Sequence, residues 1–297
     1  MPTTDLLVSI IIPSYEMKGQ GVFFLRRCLD SINKQRSVNP SEIEILISDQ
    51  SYDRAIEKFC KARPSSFSLR YQRTLTGRGI AAHNLNIGIN NARGRYVKIL
   101  FQDDLLVEDN YLATLIKYIA ANNPQCILSG ATHTKNGVDF YNGITPKENP
   151  YFLFGNNTIS SPSVLTIEKI VLGNQPFDES LRLLFDCDFY HRLFGGCKKI
   201  QICDSIRVAN GVWDGQTQFS INEKQFTKEV RYLNWKYPNA HLNALLSSYK
   251  AYFANLHPEA PFPFYLDINV SWWQRLKWAL GAARHRYQQK SPKKGLF

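Results

Sequence analysis

The apolar positions of this chain follow two rhythms that alternate over its first half. "LLVSIII" (6–12) is a continuous, β-branched run closed by Pro13, which predicts a buried strand. In "VFFLRRCLDSINKQ" (22–35), Val22, Leu25, Leu29 and Ile32 recur at helical spacing. "IEILIS" (43–48) predicts a second buried strand ended by Asp49, with a polar helix near 52–62 and a weak strand at 68–73 after it. "GIAAHNLNIGINNARG" (79–94) reads as a small-residue helix and "YVKILF" (96–101) as the next strand. A helix over 110–122 comes next, which Asp109 would cap. This alternation predicts an α/β domain with a mostly parallel, Rossmann-like sheet flanked by helices.

After "CILSGA" (126–131) the alternation fades. Residues 137–162, rich in Gly, Asn and Pro, read as loops able to form a binding rim. A helix is expected from about 186 to 194, ended by its glycines, and "KKIQICDSIRV" resembles a further strand. The chain then turns helical and aromatic over 223–256, and a Pro-rich break, "HPEAPFPF" (257–264), leads to a basic end. These shifts divide it into a domain over 1–222, a helical extension over 223–270 and a basic amphipathic tail over 271–297.

Composition narrows the classes. The 297 residues are 44% hydrophobic and 13% aromatic, which suits a packed globule and excludes a disordered chain. No apolar stretch approaches the roughly 18 residues of a membrane span, and "MPTTDLLVSIIIP" lacks a basic leader. The six cysteines are scattered without metal-ligand spacing and read as buried thiols, with the cytoplasm as the expected compartment. The net charge of +11 favours an anionic partner. A nucleic acid is disfavoured, because the basic residues gather in the tail without a recognisable reading module.

Chemistry is expected at the strand ends, where open parallel sheets bind ligands. The first strand ends in Pro13-Ser14-Tyr15, the second in Asp49-Gln50-Ser51, and the fourth in Gln102-Asp103-Asp104. An aromatic ring, an acid able to accept from a base or ribose, and a carboxylate pair able to hold a divalent ion are what a nucleotide diphosphate requires. Each also has a structural reading: Tyr15 as packing, Asp49 as a turn residue.

The blocks "VSIIIPSYE", "LRRCLDSINKQ", "EILISDQSYD", "AAHNLNIGINNARGRYVKILFQDD" and "FDESLRLLFDCDFYHRL" are similar, in order and spacing over roughly 7–218, to family 2 glycosyltransferases of the GT-A fold. The resemblance implies inverting, hexosyltransferase-type transfer of a sugar from a nucleotide donor to an acceptor hydroxyl. It places Pro13, Ser14, Tyr15 and Asp49 in the nucleoside pocket and Asp103 on metal and diphosphate, with Asp186 as catalytic base. Arg78 and Gln102 join the donor side.

The chain departs from the family pattern at several points. Phe101 stands where the first Asp of Asp-x-Asp is usual, Phe185 where Glu precedes the catalytic Asp, and His83 where Arg is frequent. No His lies between His191 and His241 where a metal ligand is common; Asn210, Trp213 or Asp214 falls there. Asp104 either supplies part of what Phe101 lacks or caps the next turn. The expectation is a weakly held Mg²⁺ or Mn²⁺ on Asp103 and Asp104. A catalytically impaired nucleotide-sugar-binding protein is the alternative.

Asp186 and Asp188, two apart, cannot share a helix face, so one reaches the cleft while the other caps or meets solvent. Arg192 would anchor their helix by a salt bridge. In the tail, Trp273, Leu276, Leu280, Ala283 and Tyr287 form one helical face with interleaved Lys and Arg. That pattern fits either packing on the domain or an anionic membrane surface at its inner face, where a lipid-linked acceptor in bacterial polysaccharide or glycolipid synthesis would be met.

Overall fold

The computed structural model describes residues 6–173, 176–216, 223–238 and 242–256. The chain divides into two compact units, Met1–Phe152 with Asn156–Ser220, and Leu153–Gly155 with Ile221–Phe297. In the first unit the apolar runs become β1 (Val8–Ser14) and β2 (Ile43–Asp49), buried at every position, and β3 (Ser68–Arg73), only partly covered. Between and after them come α1 (Gly21–Asn33), α2 (Ala55–Ala62), α3 (Ala81–Asn91) and β4 (Tyr96–Ile99). The unit continues with β5 (Leu105–Leu106), α4 (Tyr111–Asn122), β6 (Cys126–Thr134), β7 (Tyr141–Ile144), β8 (Leu165–Glu168), α5 (Lys169–Leu172), α6 (Phe185–Gly196) and β9 (Ile200–Gly211).

One nine-stranded sheet joins them in the order β3-β2-β1-β4-β8-β6-β9-β5, with β7 beside β6. The expected parallel arrangement holds for β3-β2-β1-β4 and for β6 with β9. Beyond β4 the pairing turns mixed: β8 enters antiparallel between β4 and β6, and β5 and β7 are antiparallel additions. These three strands have two to four residues each, too short for a period to register in sequence. β7 lies within the stretch read as loops.

Helix α3 packs on β1 and β2. A Cβ at Gly88 would meet Ile11 Cγ2 at 2.4 Å, so a small residue is required for this approach. At α4 the expected cap is absent. Asn110 occupies the N-cap without a side-chain bond, while the Asp109 carboxylate lies 3.6 Å from exposed Arg36. All six cysteines are free, and five of them are buried.

The second unit contributes two described helices, α7 (Glu223–Lys236) and α8 (Leu242–Leu256), and a stacked pair of Phe154 and Tyr249 rings with centroids 5.3 Å apart. The basic tail after 270 lies outside the described residues. Among the described residues no helix is long and apolar enough to cross a membrane.

One buried acid holds the far end of the sheet. Glu44, 1% exposed, accepts from Ser9 Oγ (2.6 Å), Arg70 Nη1 (2.8 Å) and the Arg93 backbone N–H (2.7 Å). Burial alone would raise its pKa, but these hydrogen bonds outweigh burial and hold it below the ordinary glutamate value. A carboxylate lowered in the folded state adds stability above its unfolded pKa, and that stability is lost as pH falls through the folded value. E44Q is therefore expected to destabilise the protein at pH 7 by about 1–3 kcal/mol. The gap to wild type should close below about pH 4; urea unfolding at the two pH values checks both expectations.

Candidate active site

The ends of β1, β2 and β4 open into a cavity of about 670 Å³, a size typical of small-ligand sites. Pro13, Tyr15, Gln50 and Arg78 line it from the first half of the sheet, and Asp103, Asp186 and Trp213 from the second. The turn after β4 is its centre. Gln102, 2% exposed, accepts from the Tyr15 backbone N–H at 2.9 Å and donates from Nε2 to the Gly21 carbonyl at 2.6 Å. Its side chain thus fixes the β1–α1 loop, which positions Tyr15. Burial raises the Tyr15 phenol to about 12, helped by the charges of Asp103 and Glu16.

The two adjacent carboxylates have different surroundings. Asp104 is 4% exposed; its Oδ1 accepts from the Gly211 backbone N–H at 2.9 Å, and Ser161 Oγ lies 3.2 Å from its Oδ2. It ties its own turn to β9 and does not cap the next one. Asp103 Oδ2 accepts from the Trp213 indole N–H at 3.0 Å. Both carboxyls are raised, Asp103 by burial, and Asp104 to about 7 by burial and then by the charge of Asp103. A Cβ at Gly211 would lie 2.2 Å from the Asp103 carbonyl, so glycine is what lets β9 come this close.

Asp186 lies in the first turn of α6 and lines the cavity. Its Oδ1 accepts from the Cys187 backbone N–H (2.7 Å) and its Oδ2 from Asn157 Nδ2 (2.8 Å). Burial raises its pKa to about 6 against the opposing pull of these donors. Asp188 takes neither of the roles expected for the second acid. It is fully buried, and its Oδ2 accepts from Arg192 Nη2 at 3.1 Å, which is the anchoring salt bridge expected of Arg192. Within α6 the i,i+4 spacing makes that pair possible, and the two-residue offset sends Asp186 to the cavity.

At the opposite end Arg78 lies over the Tyr52 ring and 3.5 Å from Glu16, and all three residues line the cavity. Ser14 and Asp49 do not reach its wall. Both are fully buried; Asp49 accepts from Ser51 N and Oγ (2.8 and 2.5 Å) and from Tyr71 OH (2.7 Å). Asp49 therefore shapes the turn that presents Tyr52, with its carboxylate consumed by neighbours. Tyr71 is the residue that sequence reading could not weigh, because its reach depends on β3 lying beside β2.

Asn157, Asn210 and Trp213 also line the cavity. The signal for Asn157 was only the polar rim at 137–162. Asn210 Nδ2 donates to Ser160 Oγ at 2.7 Å, and Ser160 carries a left-handed φ of 101°, unusual outside glycine.

For a divalent ion the fit is partial. Among the described residues no group of three His, Cys, Asp or Glu gathers to hold a metal. Asp103 and Asp104 both line the cavity, but Asp104 is also tied to Gly211 and Ser161, so Asp103 is the carboxylate with more oxygen to offer. One carboxylate suits an ion that keeps waters and takes its other ligands from substrate phosphates, as Mg²⁺ commonly does.

Residues 9–181, more than half of the chain, match the model of Glycosyl transferase family 2. The chain belongs to that family. Glycosyltransferase GlyA of Streptococcus pneumoniae serotype 4 is 34% identical over 119 residues, which are 39% of this chain and 15% of that protein. Among solved structures, the 1–349 portion of S. aureus TarS in complex with UDP-GlcNAc has a TM-score of 0.63 at 17% identity. The match covers 92% of this chain and 78% of that one. TarS itself has a TM-score of 0.61 at 18% identity, with 97% of this chain and 50% of that chain covered. At these identities the likeness establishes the fold, the GT-A arrangement expected from the sequence.

A carboxylate raised in the folded state opposes folding once pH exceeds its unfolded value, and the penalty is complete above the folded one. D186N is therefore expected to stabilise the protein at pH 7.5 by about 1–3 kcal/mol. The gain should shrink as pH falls below about 6 and disappear below about pH 3, where Asp186 is protonated in both states; thermal melts across that range check it.

Proposed function

We propose that this protein transfers a sugar from a nucleotide-diphosphate donor to an acceptor hydroxyl, with inversion at the anomeric carbon. The observation that carries the reading is the meeting of Asp186 and Asp103 in one cavity with Pro13, Tyr15 and Arg78. The nucleoside lies against Tyr15 and Tyr52, and Arg78 faces the diphosphate as its negative charge grows. Asp186 takes the proton from the acceptor oxygen while that oxygen bonds to the anomeric carbon. The bond to the diphosphate breaks from the opposite face and its electron pair leaves with the phosphate. A carboxyl titrating near 6 is a competent base at neutral pH, where it is mostly ionised. Asp103 would hold the divalent ion, Mg²⁺ or Mn²⁺, which when bound neutralises charge on the leaving diphosphate.

The fold likeness to a protein solved with UDP and UDP-GlcNAc supports a uridine donor as the first to test. The acceptor is a saccharide or a lipid-linked glycan in polysaccharide or glycolipid synthesis, met at the inner face of the membrane through the basic tail. D186N is expected to bind UDP-GlcNAc with little change while turnover falls about 10²–10⁴-fold. Donor binding without turnover in the wild-type protein, across a panel of acceptors, would favour a binding protein instead. Excess EDTA should depress transfer, and full activity in it would leave the diphosphate charge to Arg78 and its neighbours. Sedimentation with anionic vesicles should weaken with salt and vanish on truncation after Asp267.

A further inference from the structure

Beside the candidate active site the first unit holds a second cavity, of about 760 Å³. Trp213 lines both cavities and so stands between them. Lys18 and Lys135 line the second one from separate segments, the first just after β1 and the second just after β6. Both are exposed, and neither ammonium has an ion pair or hydrogen bond among the described residues. Gln20 adds an amide donor, and Asp214 is the acid on the wall.

Two further features belong to the same corner. Met17 and Lys18 carry φ of 45° and 53°, consecutive left-handed residues without glycine's freedom. Such backbone is unfavourable and gathers where a residue's position is functional. Two residues beyond Lys135, a Cβ at Gly137 would meet Arg27 Nη2 at 2.3 Å, so the loop lies directly on that guanidinium. Arg27 Nη2 is buried without a hydrogen-bond partner, and Arg27 and Asp103 interact electrostatically. Two cations from two segments thus line a space that adjoins Asp103 through Trp213, and Arg27 lies against the loop that follows Lys135.

We propose that this second cavity is a phosphate-binding subsite in which Lys18 and Lys135 hold a phosphate group next to the reaction centre. Lysine suits the task as a mobile, strongly charged donor of three hydrogen bonds. The sugar-transfer reading supplies two sources for the phosphate, the donor diphosphate or a phosphate-bearing acceptor, and only this assignment of source rests on that reading. Pro13, Gln50, Tyr52 and Arg78, which line the first cavity, do not line the second.

The test uses the full chain and K18Q/K135Q, a double variant at exposed positions. UDP and uridine are each titrated alone, and glycerol 3-phosphate is titrated with and without saturating UDP, all by calorimetry. Loss of two charge-assisted contacts is expected to weaken the phosphate ligand about tenfold or more. Weakening of glycerol 3-phosphate at saturating UDP assigns the subsite to an acceptor phosphate, whereas weakening of UDP with uridine unaffected assigns it to the donor. D214N, which removes the opposing charge, should tighten the same ligand. Unchanged affinity for both ligands in the double variant, or no binding of glycerol 3-phosphate and no loss of UDP, overturns the subsite. Should wild-type protein fail to bind UDP, the donor reading fails, while the glycerol 3-phosphate titration without UDP still decides the subsite.

Discussion

The site depends on three consecutive side chains, Gln102, Asp103 and Asp104, that bond across the sheet instead of along the chain. Gln102 takes the Tyr15 amide and gives to the Gly21 carbonyl; Asp104 takes the Gly211 amide; Asp103 takes the Trp213 indole. Each buried donor or acceptor left without its partner would cost about 1–3 kcal/mol. The turn therefore sets the loop after β1 and the end of β9 at once. Pro13 and Tyr15 reach the cavity because of the first bonds, and Asn210 and Trp213 because of the others.

That arrangement concentrates negative charge in a protein whose net charge is +11. Burial raises Asp103, Asp104 and Asp186 alike. The compensation comes from behind: fully buried Lys98, lowered to about 7 by burial and partly restored by Asp104, donates to the Ser163 carbonyl. Arg27 acts on Asp103 from α1. An acid with a raised pKa lowers stability, and such groups gather at functional sites, though structural networks hold them too. Asp188, only two residues from Asp186, instead pairs with Arg192 within the same helix.

The repeating elements of the first half were legible in the sequence because their periods are local. β1 and β2 are buried along their length, α1 buries Leu25, Leu29 and Ile32 while Val22 is only partly covered, and the chain order places Pro13, Gln102 and Asp103 at one edge. The blocks that resemble the family led to Asp186 and to its preference over Asp188. Local pattern also located the polar rim that includes Asn157, without saying which residue in it would touch Asp186.

What sequence could not reveal was the fate of a polar side chain once a partner from a distant segment arrives. Asp49 and Asp103 read alike, each an acid at a strand end. Tyr71 on the neighbouring strand closes over Asp49, while Asp103 faces the cavity beneath Trp213. Asp104 likewise read as either a ligand or a turn cap until β9 brought Gly211 to it, 107 residues later in the chain. Periodicity and turn chemistry, which act within a few residues, set which segments form strands and helices and so which acids stand at the sheet's edge. Which of those acids stay open to a ligand follows from the assembled fold, because hydrogen bonds between distant segments occupy some carboxylates more fully than others.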